Sequence, residues 1–182
     1  KEVKQTTILL VEDNEGDIIL TTEALEEGRI LNKLSVVRDG REAVDFLNKE
    51  VPTSNAKLLE VEAGDVPVVV EASSIKDVCF ALRDSSDFKF EVLQVISGVD
   101  YEDRIEVNYM LASFTKNNEV IVKVNLPKEN KDSIPEIESV CDVWKSANFL
   151  ERETYDMNGV KFLNHPDFRR ILCPDDWEGH PL

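Results

Sequence analysis

The residues best equipped for chemistry lie towards the C-terminal end of the chain. Glu151, Arg152 and Glu153 stand in a row, with Tyr155 and Asp156 just behind them. His165, Asp167, Arg169, Arg170, Cys173, Trp177 and His180 follow. Two acids around an arginine could serve as proton donor, proton acceptor and substrate clamp. The plainer expectation, and the preferred one, is that Glu151, Arg152 and Glu153 form ion pairs with Arg169 and Arg170 and fasten the tail to a helix. His165, Asp167, Cys173 and His180 could be drawn as a metal site, but their spacings match no familiar ligand pattern. Both histidines precede a proline, where a turn-forming role fits better. Trp144 and Trp177 are candidate interface anchors, since aromatic residues are enriched at binding hot spots. Trp144 suits a core position better, and Trp177 fits either role.

Elsewhere the chain signals no chemistry. Cys79, Cys141 and Cys173 lie far apart with no C-x-x-C, so neither an iron–sulfur cluster nor a zinc site is indicated. Asp156-Met-Asn-Gly-Val160 is no dinucleotide fingerprint, and no nucleophile–base pair can be read from the spacing. The residues therefore name neither a catalytic group nor a cofactor. A formal net charge of −16 on 182 residues argues against a nucleic-acid partner and against direct adhesion to anionic lipid. At 42% hydrophobic the chain can bury a real core, in one or two domains. No run approaches the roughly 18–20 apolar residues needed to cross a membrane. Lys1–Gln5 leads into a strand-like segment and lacks the apolar core of a signal peptide. A cytoplasmic chain without direct membrane insertion is expected.

These groups need a scaffold, and the hydrophobic pattern supplies one. Residues 6–11 form a short continuous apolar run, as a buried parallel strand does, with Glu12 and Asp13 at its C-terminal end. A helix is expected over about 15–28 and a second strand over 33–38. Asp39-Gly-Arg-Glu42 then offers a capping box for a helix to about Lys49. This βαβα order implies a parallel sheet. Val51-Pro-Thr-Ser-Asn55 is the best junction, dividing residues 1–50 from 51–182. Beyond it the pattern predicts strands over 58–62 and 66–70 around an Ala63-Gly64-Asp65 turn. It also predicts a helix over 75–84, capped by Ser74, with Ile75, Val78 and Leu82 facing inward. Residues 89–97, 104–115 and 119–126 are β-rich, with Asn117-Asn118 as a hairpin turn, and 127–135 is a polar loop. Ser139 is expected to cap a helix running to about Asp156, with Val140, Val143, Trp144 and Ala147 inward and Gly159 as its stop. Residues 160–182 read as irregular but too apolar for disorder, a segment that needs a surface to lie on. The fold class expected is α/β to α+β, with the two parts separate or merged into one domain.

Residues 7–48 resemble the first half of a response-regulator receiver domain, through Ile8-Leu-Leu-Val-Glu-Asp-Asn14 and Val37-Arg-Asp-Gly-Arg-Glu-Ala-Val44. The resemblance implies that Glu12 and Asp13 match the acidic pair that helps hold Mg²⁺, where hard oxygen ligands suit a small hard cation. Where a receiver carries its phospho-acceptor Asp, the strand over 66–70 ends in Glu71, which imitates a phosphoaspartate charge but is not the usual acceptor. Ser97 and Lys123 can be matched to the later Ser/Thr and Lys positions, which would make a complete Mg²⁺-dependent signalling domain. The surrounding residues fit another family better, so Glu12 and Asp13 read as a relic pair in a truncated segment unable to accept phosphate.

From about residue 56 the chain resembles the C subunit of NADH:quinone oxidoreductase, respiratory complex I. The middle carries Phe90-Glu-Val-Leu-Gln-Val-Ile-Ser-Gly-Val-Asp-Tyr101 and Asn108-Tyr-Met-Leu-Ala-Ser113. The end carries Ala147-Asn-Phe-Leu-Glu-Arg-Glu-Thr-Tyr-Asp-Met157, His165-Pro-Asp-Phe-Arg-Arg-Ile-Leu172 and Asp175-Asp-Trp-Glu-Gly-His-Pro-Leu182 in nearly continuous register. Phe149 stands where the family usually has Trp, and Asn158 where an aromatic is usual. The family also continues beyond the position of Leu182 with a basic Arg-Lys-Asp-Tyr-Pro segment. The resemblance implies a mixed-sheet, non-catalytic assembly subunit of the hydrophilic arm, with no flavin, cluster or quinone chemistry of its own. Its neighbour would be chiefly the quinone-site subunit, and it would be peripheral to the inner membrane through the complex. A receiver half joined to such a subunit points to a chimeric chain.

Overall fold

A computed structural model describes residues 7–11, 33–37, 39–59, 67–130 and 133–182. Glu12 and Asp13, the helix expected over 15–28 and the turn at 63–65 lie outside the described residues. The apolar runs Thr7–Val11 (β1) and Lys33–Val37 (β2) pair in parallel, Thr7 opposite Lys33 and Val11 opposite Val37, as a two-stranded sheet of their own. Helix α1, Asp39–Glu50, follows. Its Ala43 and Leu47, one turn apart, are buried in the same core as the larger sheet.

That larger sheet is mixed and five-stranded. Its members are Lys57–Leu58 (β3), Val68–Val70 (β4), Val92–Asp100 (β5), Arg104–Ser113 (β6) and Asn118–Pro127 (β7), in the order β3-β4-β7-β6-β5. Only β4 with β7 is parallel among these pairs; the others are antiparallel. Val68, Val107, Leu111, Val122, Val124 and Leu126 fill the core, as β-branched and leucine side chains do on a pleated, covered surface. Asn117 turns the β6–β7 hairpin at φ 54°, a left-handed conformation that asparagine tolerates better than most residues. Helix α2, Ile75–Asp84, buries Ile75, Val78, Cys79 and Leu82 at helical spacing, as expected. Ser74 does not cap it; its hydroxyl donates to Thr53 Oγ1 at 3.0 Å.

The expected helix from Ser139 to Asp156 is shorter and later. Residues 139–146 form successive turns, and helix α3 runs from Ala147 to Asn158. Val143 N–H and Trp144 N–H both reach Val140 O, and Ala147 N–H reaches Trp144 O, so linked single turns reproduce the apolar spacing of a helix. Gly159 stops α3 at φ 74°, its N–H on Tyr155 O at 2.9 Å. Glu136–Glu138 (β8) then pairs in parallel with Lys161–Leu163 (β9). β5 is an outer strand whose outward carbonyls would otherwise face no partner, and α3 with its N-cap Ser146 supplies donors along it. Ser146 Oγ reaches Leu93 O at 3.1 Å, Thr154 Oγ1 lies 3.4 Å from Ile96 O, and Asn158 Nδ2 lies 3.4 Å from Gly98 O. A Cβ at position 98 would sit 2.7 Å from Asn158 Cγ, so this approach needs glycine.

Candidate functional site

Helix α3 turns an unusual set of side chains inward. Its buried residues are Ala147, Glu151, Arg152, Thr154, Asp156 and Asn158. Asp156 organises the tail. Its Oδ2 accepts the backbone N–H groups of Ile171, Leu172 and Cys173 at 3.0, 2.7 and 2.8 Å, and its Oδ1 accepts Arg170 Nη1 at 2.5 Å. Burial alone would push this carboxyl up; the three N–H groups and the guanidinium outweigh it and hold it well below the ordinary carboxylate range. Arg170 Nη2 also donates to Trp177 O at 3.2 Å and Gly179 O at 2.9 Å, while His180 Nδ1 lies 3.1 Å from Asp156 O. Leu182 N–H reaches Met157 O at 2.9 Å. Tyr155 packs its ring on Phe168 and His180, with centroids 4.5 and 5.2 Å apart. Gly159 is needed twice, for its positive φ and because a Cβ there would meet His180 Cδ2 at 2.7 Å.

The tail is thus fastened to α3, but not by the expected ion pairs. Arg170 goes to Asp156, and Arg169 goes to Asp167 at 2.9 Å. Arg152 donates to the carbonyls of Arg169 and Arg170 at 3.0 and 3.4 Å and stands 3.5 Å from Asp167 Oδ2. Glu153 is exposed. Glu151 faces elsewhere, because five residues along a helix rotate a side chain by about 140° from Asp156.

Glu151 is fully buried against the turn that precedes α3. Val140 N–H donates to Oε1 at 2.6 Å, and Ser139 Oγ donates to Oε2 at 2.6 Å. Cys141 Sγ lies 3.5 Å from the same oxygen, and His165 Nε2 lies 3.8 Å from it. Burial pushes the Glu151 carboxyl up to about 7, against hydrogen bonds from Ser139, Val140 and Cys141 that draw it down. Burial likewise pushes the Cys141 thiol up to about 11 and the His165 imidazole down. His165 Nδ1 accepts Asp167 N–H at 3.0 Å, so the ring proton sits on Nε2 and is donated to Asn148 O at 3.1 Å.

The metal set considered from sequence is not assembled. Cys173 and His180 are engaged around Asp156, and among the described residues the potential ligand atoms that converge belong to Cys141, Glu151 and His165, all within 4.8 Å of one another. A metal on His165 Nε2 would displace the proton that Asn148 O receives and move the ring proton to Nδ1, where it would meet Asp167 N–H. Cys141 is hydrogen-bonded to Glu151, and both ring nitrogens of His165 are committed to backbone groups. The sequence signal of this trio was an acid on an otherwise buried stripe, Ala147, Glu151, Thr154 and Asn158, at helical spacing. Ser139 and Asn148 carried no such signal.

Residues 68–182 match the family described as the 30 Kd subunit of respiratory-chain NADH dehydrogenase. The chain belongs to this family. The NADH-quinone oxidoreductase C subunit of Roseiflexus sp. (strain RS-1) is 44% identical over 122 residues, covering 65% of this chain and 68% of that protein. Its counterpart in Moorella thermoacetica is 44% identical over 128 residues, covering 68% and 82%. A trypsin-resistant fragment (1-134) of Nqo5 shares the fold with a TM-score of 0.54 and 28% identity, over 69% of this chain and 98% of the fragment. A chain of the membrane-bound sulfane sulfur reductase, an archaeal respiratory membrane complex, shares it with a TM-score of 0.60 at 24% identity, over 75% and 78%. The 30 Kd family match takes in the mixed sheet from β4 onward, α3 and the whole tail, so the Asp156 and Glu151 networks both lie inside it. Phe149 is 62% exposed on α3 with the Arg152 guanidinium 5.6 Å from its ring centroid, and Trp177 is 47% exposed.

Proposed function

We propose that this chain is a non-catalytic assembly subunit of the hydrophilic arm of NADH:quinone oxidoreductase, with the quinone-site subunit as its chief neighbour. The observation that carries this is the Asp156 network. It converts an irregular segment into a fixed surface that presents Leu172, Trp177 and Leu182 outward, while Glu151, Arg152 and Asp156 of α3 are used internally. No helix among the described residues is long and apolar enough to cross a membrane, which fits a subunit peripheral to the inner membrane through its partners. Co-purification with the quinone-site subunit tests it: a stable complex is expected, and a folded chain that fails to bind would sink the proposal.

A second reading concerns the N-terminal segment, as half of a receiver domain fused to this subunit in a chimeric chain. Its support is the parallel β1–β2 pair followed by α1. Ala43 and Leu47 lie in the core with the sheet residues, which favours a merged domain over a boundary at residue 50. A complete receiver fits less well: β4 pairs with β3 and β7, and Lys123 is held by Glu106 at 2.9 Å. Beryllofluoride with Mg²⁺ separates the two, since any Mg²⁺-dependent adduct at one carboxylate favours signalling.

A further inference from the structure

The network around Glu151 plays no part in fixing Asp156 and is closed to any ligand from outside. It joins three pieces of chain: the turn at Ser139–Cys141, α3, and the start of the tail at His165. A carboxylate in such a place ordinarily has a cation beside it. Here the donors are a hydroxyl, a backbone N–H and a thiol, all neutral. The cation within electrostatic reach, Lys76 of α2, is held by Asp142 at 2.6 Å. The other titratable groups that face the site are Cys79 from α2, Tyr109 from β6, Cys141 from the turn and His165 from the tail. His165 is itself flanked by Arg152 and Asp167. None of these places a fixed positive charge in contact with Glu151.

We propose that Glu151 is a buried proton-binding site whose occupancy controls how firmly the tail from His165 is held to α3. In the protonated state Oε1 keeps the Val140 N–H, and the acid proton on Oε2 is donated to Ser139 Oγ. On deprotonation the proton leaves for solvent, the Ser139 hydroxyl donates to Oε2, and Oε2 carries a charge with no counter-ion, 3.8 Å from His165 Nε2. The Nε2–H then turns from Asn148 O to Oε2, so His165 trades one α3 acceptor for another and the tail is left on a helix that now buries a carboxylate without a counter-ion, which loosens the packing between them. The upward push of burial on this carboxyl, to about 7, places the event near neutrality.

The test is a ¹³C NMR titration of the Glu151 carboxyl in the full chain, assigned through its own side-chain carbons and so independent of any variant. A single step near neutral pH is expected, with a parallel change in the His165 ring signals. Amide exchange over 165–182 should accelerate above that step by more than the intrinsic pH dependence. Ser139→Ala removes a donor that favours the charged form and should move the step to higher pH. Glu151→Gln should abolish the His165 response and keep tail exchange slow throughout. A carboxyl step in the ordinary range near pH ~4, or a tail response that persists in Glu151→Gln, would overturn the proposal.

Discussion

Val68, Val107, Leu111, Val122 and Leu126 of the five-stranded sheet are buried among other apolar side chains. The buried side chains of α3 are Glu151, Arg152, Thr154, Asp156 and Asn158 beside Ala147, each with a named donor or acceptor. Apolar burial is non-directional, so the sheet tolerates changes that keep volume. Polar burial depends on specific partners, and losing one strands the other without water. The sheet therefore sets global stability, whereas α3 sets whether the tail is on or off.

Leu111→Ala and Asp156→Ala test that division most severely. Leu111 is fully buried, and its truncation should cost ~4 kcal/mol from lost transfer energy and the cavity left behind. Urea denaturation should show one transition with an unchanged slope, the tail losing protection only with the sheet. Asp156→Ala should cost ~3 kcal/mol, because it takes the carboxylate from Arg170 and leaves three backbone N–H groups without their acceptor. Limited proteolysis should then cut within 165–182 while the sheet stays folded. Equal protection of tail and sheet in Asp156→Ala would show that the two regions are one cooperative unit.

The two acids of α3 sharpen the contrast within one helix. Asp156 has its carboxyl depressed on folding, so its contribution is present above the ordinary carboxylate range and is lost as pH falls through the lower folded value. Glu151 has its carboxyl raised to about 7, so its contribution is fully present below the ordinary range and is lost as pH rises through about 7. Tail protection, followed by amide exchange, should therefore fall at both ends of the pH scale. Asp156→Asn should remove the acid limb and leave the alkaline one.

Much of the sheet was legible because its residues obey a period. β6 and β7 carry long β-rich runs, and Ile75, Val78 and Leu82 repeat at helical spacing, so these elements were placed within a few residues. The turn at 139–146 misled for the same reason: Val140, Val143, Trp144 and Ala147 are inward-facing in linked single turns as they would be in a helix. The tail was legible only as a resemblance. Its contacts run from side chains to backbone groups of residues 169–173 and 177–180, and a backbone carbonyl leaves no mark on a sequence. Hence the sequence marks Arg170 as an ion-pair partner for α3 but does not mark Asp156 as the acid that takes it.

Gly159→Ala is the next smaller effect. The substitution forces a side chain into φ 74° and brings its Cβ to 2.7 Å from His180, so ~2 kcal/mol is expected. The loss should fall on the tail, measured by proteolysis, with the sheet little changed. Full recovery of tail protection on also replacing His180 by Ala would assign the cost to the clash and not to the backbone.

Phe149 gives the smallest effect and separates stability from docking. Its ring is 62% exposed and meets the protein through the Arg152 guanidinium at 5.6 Å, so Phe149→Ala should change stability by less than ~0.5 kcal/mol. Arg152 keeps its bonds to the carbonyls of Arg169 and Arg170 without the ring, which is why the tail should not respond. Phe149→Trp enlarges the exposed aromatic face of α3. If that face meets a neighbouring subunit, affinity should rise from Ala to Phe to Trp at constant stability. Equal affinity across the three would take the outer face of α3 out of the interface and leave docking to the tail, where Trp177 stands half-exposed on a loop that Arg170 holds in place.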